Sequence, residues 1–198
     1  MNVRPDSYYT EKYQLTATHS EVAEAVSQLA LKGRALDLGC GSGRNSLYLH
    51  LKGFDVTAWD RNPARLAQII AEEGLTGIRT EQKDFNDLRF NGAFDLVLST
   101  VVMMFLQPEA IPRLIADMQA STVRSGYNLI VSAMDTEDYP CTLFPFAFKS
   151  GELSEYYRKW RIVKYNEHPG QLHRTDEHGN RISLRFATLL AQKERVKE

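Results

Sequence analysis

Residues 35–43 read ALDLGCGSG, an apolar run carrying one acid, Asp37, and ending in glycines at 39, 41 and 43. Glycine lacks a Cβ and tolerates positive φ, so a turn made this way lets the backbone lie against a nucleotide-like ligand. The following segment, 44–51, reads as a helix. Strand, glycine turn, helix is the geometry that presents backbone amides to such a ligand. In the phosphate-cradling fingerprint G-x-G-x-x-G the sixth residue is glycine, but counted from Gly39 it is Arg44 here. Asp37, at the strand end, would also repel a pyrophosphate. A carboxylate there suits a cationic amine. S-adenosylmethionine carries an ammonium, a sulfonium and an adenosine without phosphate, so the pattern favours a methyl donor over NAD.

Two further acids fall where a second and a third strand end. Asp60 stands 17 residues after Gly43 and can accept both ribose hydroxyls, a role also found in NAD enzymes. Asp84 can accept from the adenine amino group, with a turn or helix cap as its other reading. Together with the glycine turn and Asp37, the set is more specific than any member.

Positioning these residues requires strands that end on one side. A helix is predicted from Ser20, with Val22, Ala25, Val26 and Leu29 at helical spacing. Strands are expected at 55–59, 78–81, 94–99 and 128–133. Helices are expected at 63–73, where proline suits a first turn, and at 108–120. This alternation implies a doubly wound parallel sheet, which binds ligands at the carboxyl ends of its strands. From residue 134 the pattern breaks. The segment 134–170 is rich in aromatics, including Phe144, Phe146 and Phe148, and is expected to cover the substrate, with a helix near 152–160. The end reads as antiparallel, 171–175 and 182–190 around a turn at 178–180.

At 198 residues the chain is expected to form a single domain, 1–198, and 43% hydrophobic residues support a core. A formal charge of −1 gives no basic field for nucleic acid. Cys40 and Cys141 make neither a disulfide framework nor a zinc pattern, and no metal is expected. Cys40 sits in the glycine turn, where a small residue packs. The N-terminus lacks the apolar core of a signal peptide, and no window approaches the ~18 apolar residues of a membrane span. A cytoplasmic protein without a membrane partner, monomeric or homodimeric, is the expectation.

These residues resemble class I S-adenosylmethionine-dependent methyltransferases, and among them the tellurite-resistance methyltransferases of the TehB type. The similarity runs through 13–25 (YQLTATHSEVAEA), 57–62, 98–106 (LSTVVMMFL), 133–149 (AMDTEDYPCTLFPFAFK) and 172–187 (LHRTDEHGNRISLRFA). Residues 123–126 stand one short of the usual Pro-Gly-Gly turn, and Thr142-Leu-Phe lacks a glycine. The resemblance implies an α/β fold with a seven-stranded, mostly parallel sheet and a terminal antiparallel hairpin. It implies methyl transfer to small oxyanions of tellurium or selenium, hence tellurite resistance, with S-adenosylhomocysteine as product. The cofactor set expected on it is Asp37, Gly39, Gly41, Gly43, Arg44, Asn45, Asp60, Arg61, Asp84, Phe85 and Ser99. Tyr13 and His19 are expected to fold over the cofactor with the segment 1–18. By the same match His173, Arg174 and Arg181 are the catalytic candidates. Arginine forks suit an oxyanion and His173 suits proton uptake. Neighbours 173 and 174 point to opposite sides of a regular strand, so both face a substrate only where the strand is bent or ends. Rival readings are a thiol, arsenite or halide acceptor, or a non-catalytic cofactor-binding regulator. Two cysteines count against arsenite, which seeks several thiolates. The absence of an Asn/Asp-Pro-Pro-Tyr/Phe motif after the fourth strand counts against a nucleic-acid substrate.

Overall fold

The computed structural model describes residues 3–194. Its parallel strands are β1 (Arg34–Leu38), β2 (Asp55–Asp60), β3 (Ile78–Gln82), β4 (Phe94–Thr100) and β5 (Thr122–Ala133). The helices α1 (Tyr8–Lys12), α2 (Ser20–Leu29), α3 (Arg44–Leu51), α4 (Ala64–Glu73) and α5 (Ala110–Ala120) precede or connect them. Then follow α6 (Glu152–Tyr156), β6 (Arg161–Thr175) and β7 (Arg181–Gln192). β7 lies antiparallel between β5 and β6, giving a seven-stranded sheet in the order β3-β2-β1-β4-β5-β7-β6. This is a doubly wound α/β fold with a terminal antiparallel hairpin.

Central strands covered on both faces read as continuous apolar runs, and β1 and β4 do so. Leu36, Leu38 and Val97 pack on one side with Met118 and Ile130. Leu96 and Leu98 pack on the other with Leu47, Val56 and Leu66. Each such leucine contributes about 1.5–3 kcal/mol by leaving water. Helix α2 turns Val22, Ala25 and Val26 inward, and α4 ends on Gly74 at φ +61°, a left-handed stop. The strand order reverses at β1, whose neighbours are β2 and β4, so the loops after β1 and β4 diverge and leave a crevice. Among the described residues no helix is long and apolar enough to cross a membrane.

Several boundaries differ from the sequence reading. The fifth strand starts at Thr122, and residues 123–126 form a bulge within it, between the pairs Phe94↔Thr122 and Leu96↔Tyr127. Ser125 and Gly126 hold this bulge through backbone bonds to Lys193, a partner 67 or more residues away that local pattern cannot show. The helix expected from Pro108 begins at Ala110 after a 3-10 turn at Met103–Phe105. The hairpin strand reaches back to Arg161, so the irregular segment ends before 170 and its helix stops at Tyr156. Much of that segment is core. Phe148, Leu153 and Tyr157 are fully buried, and the Tyr157 hydroxyl donates to Asn128 Oδ1 at 2.9 Å.

Candidate active site

The turn after β1 needs its glycines. Gly39, Gly41 and Gly43 have φ of +83°, +53° and +99°. A Cβ on Gly39 would collide with Val102, and one on Gly43 would lie 2.5 Å from Leu66 Cδ1. In front of Gly41 there is open space. The Gly39 and Cys40 N–H groups both donate to the Trp59 carbonyl, at 2.8 and 3.0 Å, so the turn is stitched to β2. At the end of β2, Asp60 accepts the Gly41 N–H on Oδ2 and the Asn62 N–H on Oδ1, each at 2.9 Å. These bonds fix its carboxylate at the rim of a cleft of about 620 Å³.

Asp37 is buried in β1, two residues before Gly39 of the cleft lining. Its Oδ2 accepts the Ser46 hydroxyl at 2.6 Å, while its Oδ1 is buried without a partner. Burial raises its pKa from 3.8 to about 6, against the opposing pull of the Ser46 bond and Arg44. An unpaired acceptor in the interior is costly unless a donor or cation arrives. Asp37 Oδ1 is such an unpaired acceptor, in the interior at the end of β1.

Of the expected cofactor residues, Gly39, Gly41, Arg44, Asn45, Asp60, Arg61 and Phe85 line the cleft. Gly43 stands behind it against Leu66. Asp37, Asp84, Ser99, Tyr13 and His19 are outside the cleft lining. Asp84 is turned into its own loop, its Oδ1 accepting the Asn86 N–H at 3.0 Å, and Phe85 and Asn86 form the wall instead. Ser99 is fully buried within β4, and Thr100 is the neighbour that reaches the cleft, accepting Asn45 Nδ2 at 3.0 Å. The Tyr13 hydroxyl donates to Glu73 of α4 at 2.7 Å, and Gln14, Leu15 and Thr16 cover the cleft. His19 lines a different cavity. The sequence reading also passed over Val101, Val102, Phe105 and Leu106, whose only signal was their place after the fourth strand.

That second cavity, of about 600 Å³, holds His19, Arg44, Met104, Phe144, His168, His173, Arg174 and Phe186. Arg44, Val101 and Phe105 belong to both cavities, so the two meet at a shared wall. Pairing in the hairpin slips from Gln171↔Ser183 to Thr175↔Arg181, placing extra residues on β6. This bulge breaks the alternation, and His173 and Arg174 both line the cavity. Arg181 stands outside the lining, with Nη2 3.3 Å from His173 Nδ1. A guanidinium only donates, so where this contact is a hydrogen bond His173 Nδ1 is its acceptor.

Val101 departs from ordinary backbone. It is β-branched yet has φ +53°, and its N–H donates to the Val131 carbonyl at 2.7 Å. Such residues sit there at a cost of about 1–3 kcal/mol and mark functional places. Beside it, Phe105 is 57% exposed and packs edge-on to Phe144 at 5.2 Å between ring centres.

The sequence matches the family described as "Tellurite resistance protein TehB" over residues 1–190. The chain belongs to the TehB family. A Haemophilus influenzae relative described as "Probable S-adenosyl-L-methionine-dependent methyltransferase TehB" is 47% identical over 193 residues, 96% of this chain and 67% of the relative. The crystal structure of TehB from Haemophilus influenzae matches with a TM-score of 0.89 at 47% identity, again over 96% of this chain and 67% of that one. A Burkholderia thailandensis 1,6-didemethyltoxoflavin-N1-methyltransferase, 20% identical, shares the fold with a TM-score of 0.66 over 88% of this chain and 76% of its own. This TehB-family chain has the class I methyltransferase fold, and S-adenosylmethionine is its cofactor. The site fits that molecule: a turn open at Gly41, a carboxylate at the rim and, at the end of the strand that leads into the turn, a buried carboxylate oxygen without a partner.

Proposed function

We propose that this TehB-family methyltransferase transfers a methyl group from S-adenosylmethionine to tellurite, with selenite as the related acceptor, and thereby gives tellurite resistance. One observation carries the reading: the cofactor cleft and a cavity bearing Arg174 and His173 share the wall formed by Arg44, Val101 and Phe105. The two cavities adjoin along those residues, so a donor in one and an anionic acceptor in the other would meet at their junction.

In the cleft, Asp60 would take the ribose hydroxyls, Phe85 and Asn86 would flank the adenine, and Asp37 would answer the ammonium. When bound, S-adenosylmethionine supplies an electrophilic methyl group, which the tellurium lone pair takes as the carbon–sulfur bond breaks and S-adenosylhomocysteine leaves. Arg174 and Arg44 bind the anion's oxygens, since a guanidinium keeps its charge at any working pH. His173 adds a hydrogen bond to the anion, with Arg181 beside it from outside the cavity. Phe105 and Phe144 keep water from the wall. Positioning of this kind supplies most of the rate in an in-line displacement.

Arsenite is disfavoured because both cysteines are buried and Cys40 lines the cofactor cleft, where burial pushes its thiol pKa up. The experiment is S-adenosylhomocysteine formation by the wild-type protein with tellurite, selenite, arsenite and small thiols. Tellurite-stimulated product supports the reading. Product with thiols alone overturns it.

A further inference from the structure

The segment between α1 and α2 does more than cover the cofactor cleft. Thr18 Oγ1 donates to the Arg44 carbonyl at 3.1 Å, and the His19 N–H donates to Asn45 Oδ1 at 3.0 Å. Asn45 is itself tied to Thr100 at the end of β4. His19 is thus anchored to the start of α3, and its ring lies in the cavity that holds Arg174.

Its ring is held at one nitrogen. Nδ1 accepts the Glu21 N–H at 3.2 Å as the N-cap of α2. A nitrogen that accepts carries no proton, so the ring is neutral and its hydrogen is on Nε2. Burial, then the Arg44 charge, pushes the pKa down and keeps it neutral. Among the described residues Nε2 has no partner. Capping does not explain the choice of residue, since Asn, Asp or Ser caps a helix better than histidine.

We propose that His19 is an acceptor-binding residue, its Nε2–H donating a hydrogen bond to an oxygen of the anion held by Arg174. This rests on reading the second cavity as the acceptor site. The N-terminal segment then supplies one wall of that site and the hairpin the other. A neutral donor adds a bond without a further positive charge beside Arg44.

Two substitutions separate the cap from the donor. His19→Asn keeps a good cap and loses Nε2, whereas His19→Gln places an N–H near Nε2 and loses the cap. For His19→Asn we expect unchanged melting and S-adenosylhomocysteine affinity within twofold, with KM for tellurite raised about tenfold to a hundredfold. For His19→Gln we expect lower melting but KM within about threefold of wild type, as a retained donor implies. Wild-type kinetics in His19→Asn overturn the proposal. Nitrogen-15 NMR of the S-adenosylhomocysteine complex gives a second reading: an Nε2–H tautomer that shifts on adding tellurite supports it, and an Nδ1–H tautomer or an unmoved ring overturns it. No wild-type turnover with tellurite overturns the acceptor reading itself, and this assignment with it. Normal wild-type turnover with an indifferent His19→Asn overturns this assignment alone.

Discussion

Asp37 makes the cofactor-free protein less stable as pH rises, and Asp37→Asn removes that effect. Its carboxyl is raised from 3.8 to about 6 chiefly by burial, a rise of about two units. The folded state then binds more protons than the unfolded chain between about pH 4 and 6, so stability declines through that window and levels off above it. Two units correspond to about 3 kcal/mol. Asparagine retains an oxygen for the Ser46 hydroxyl but does not titrate. Groups shifted the other way, such as Asp117 and Glu73, whose carboxyls are lowered by hydrogen bonds from Arg89 and Lys12, cancel in the comparison. The assay is urea unfolding of both proteins at pH 4.5, 5.5, 6.5 and 7.5. Wild type should lose about 2 kcal/mol relative to Asp37→Asn across the series, nearly all of it between pH 4.5 and 6.5, the first ~1 kcal/mol having gone below pH 4.5. Saturating S-adenosylhomocysteine should shrink the loss in wild type, because a bound ammonium favours the carboxylate. A difference that stays flat with pH refutes the reasoning, and so does one that grows in wild type's favour without ligand.

Asp60→Ala should weaken S-adenosylhomocysteine binding at least tenfold by calorimetry, about the loss of one charge-assisted hydrogen bond. Arg174→Ala should leave that affinity within about twofold while tellurite-dependent turnover falls a hundredfold or more, as expected for a charged group that contacts only the acceptor. Gly43→Ala combines a forbidden φ of +99° with a Cβ 2.5 Å from Leu66, and should lower stability by about 2–4 kcal/mol in thermal unfolding. Val101→Gly relieves strain at the shared wall, so melting should stay within about 3 °C of wild type while turnover drops about tenfold. A large loss of stability there would show that the left-handed conformation is not strained.

The cofactor half of the site was legible in the sequence because its signals are local. The glycine spacing at 39, 41 and 43 reports backbone conformation directly, and Asp60 follows from strand length and the turn after it. Periodicity sufficed for the central strands, since burial on both faces leaves no other reading of FDLVLS. Tertiary structure decided which residue at each strand end lines the cleft. Ser99 and Thr100 are adjacent and paired with Ile130 and Val131 of β5, and strand alternation buries one and brings the other to the cleft. Asp84 closed its own turn, a local bond that sequence had left open as an alternative. Tyr13 went to Glu73 and His19 to the second cavity because contacts across 60 and 26 residues compete with any local preference. The second cavity depended on such contacts throughout. A bulge that turns His173 and Arg174 together, a strained Val101 and a wall shared by two cavities all arise where distant segments meet. A linear pattern carries the conformation each segment prefers, while the place where segments converge is set by packing.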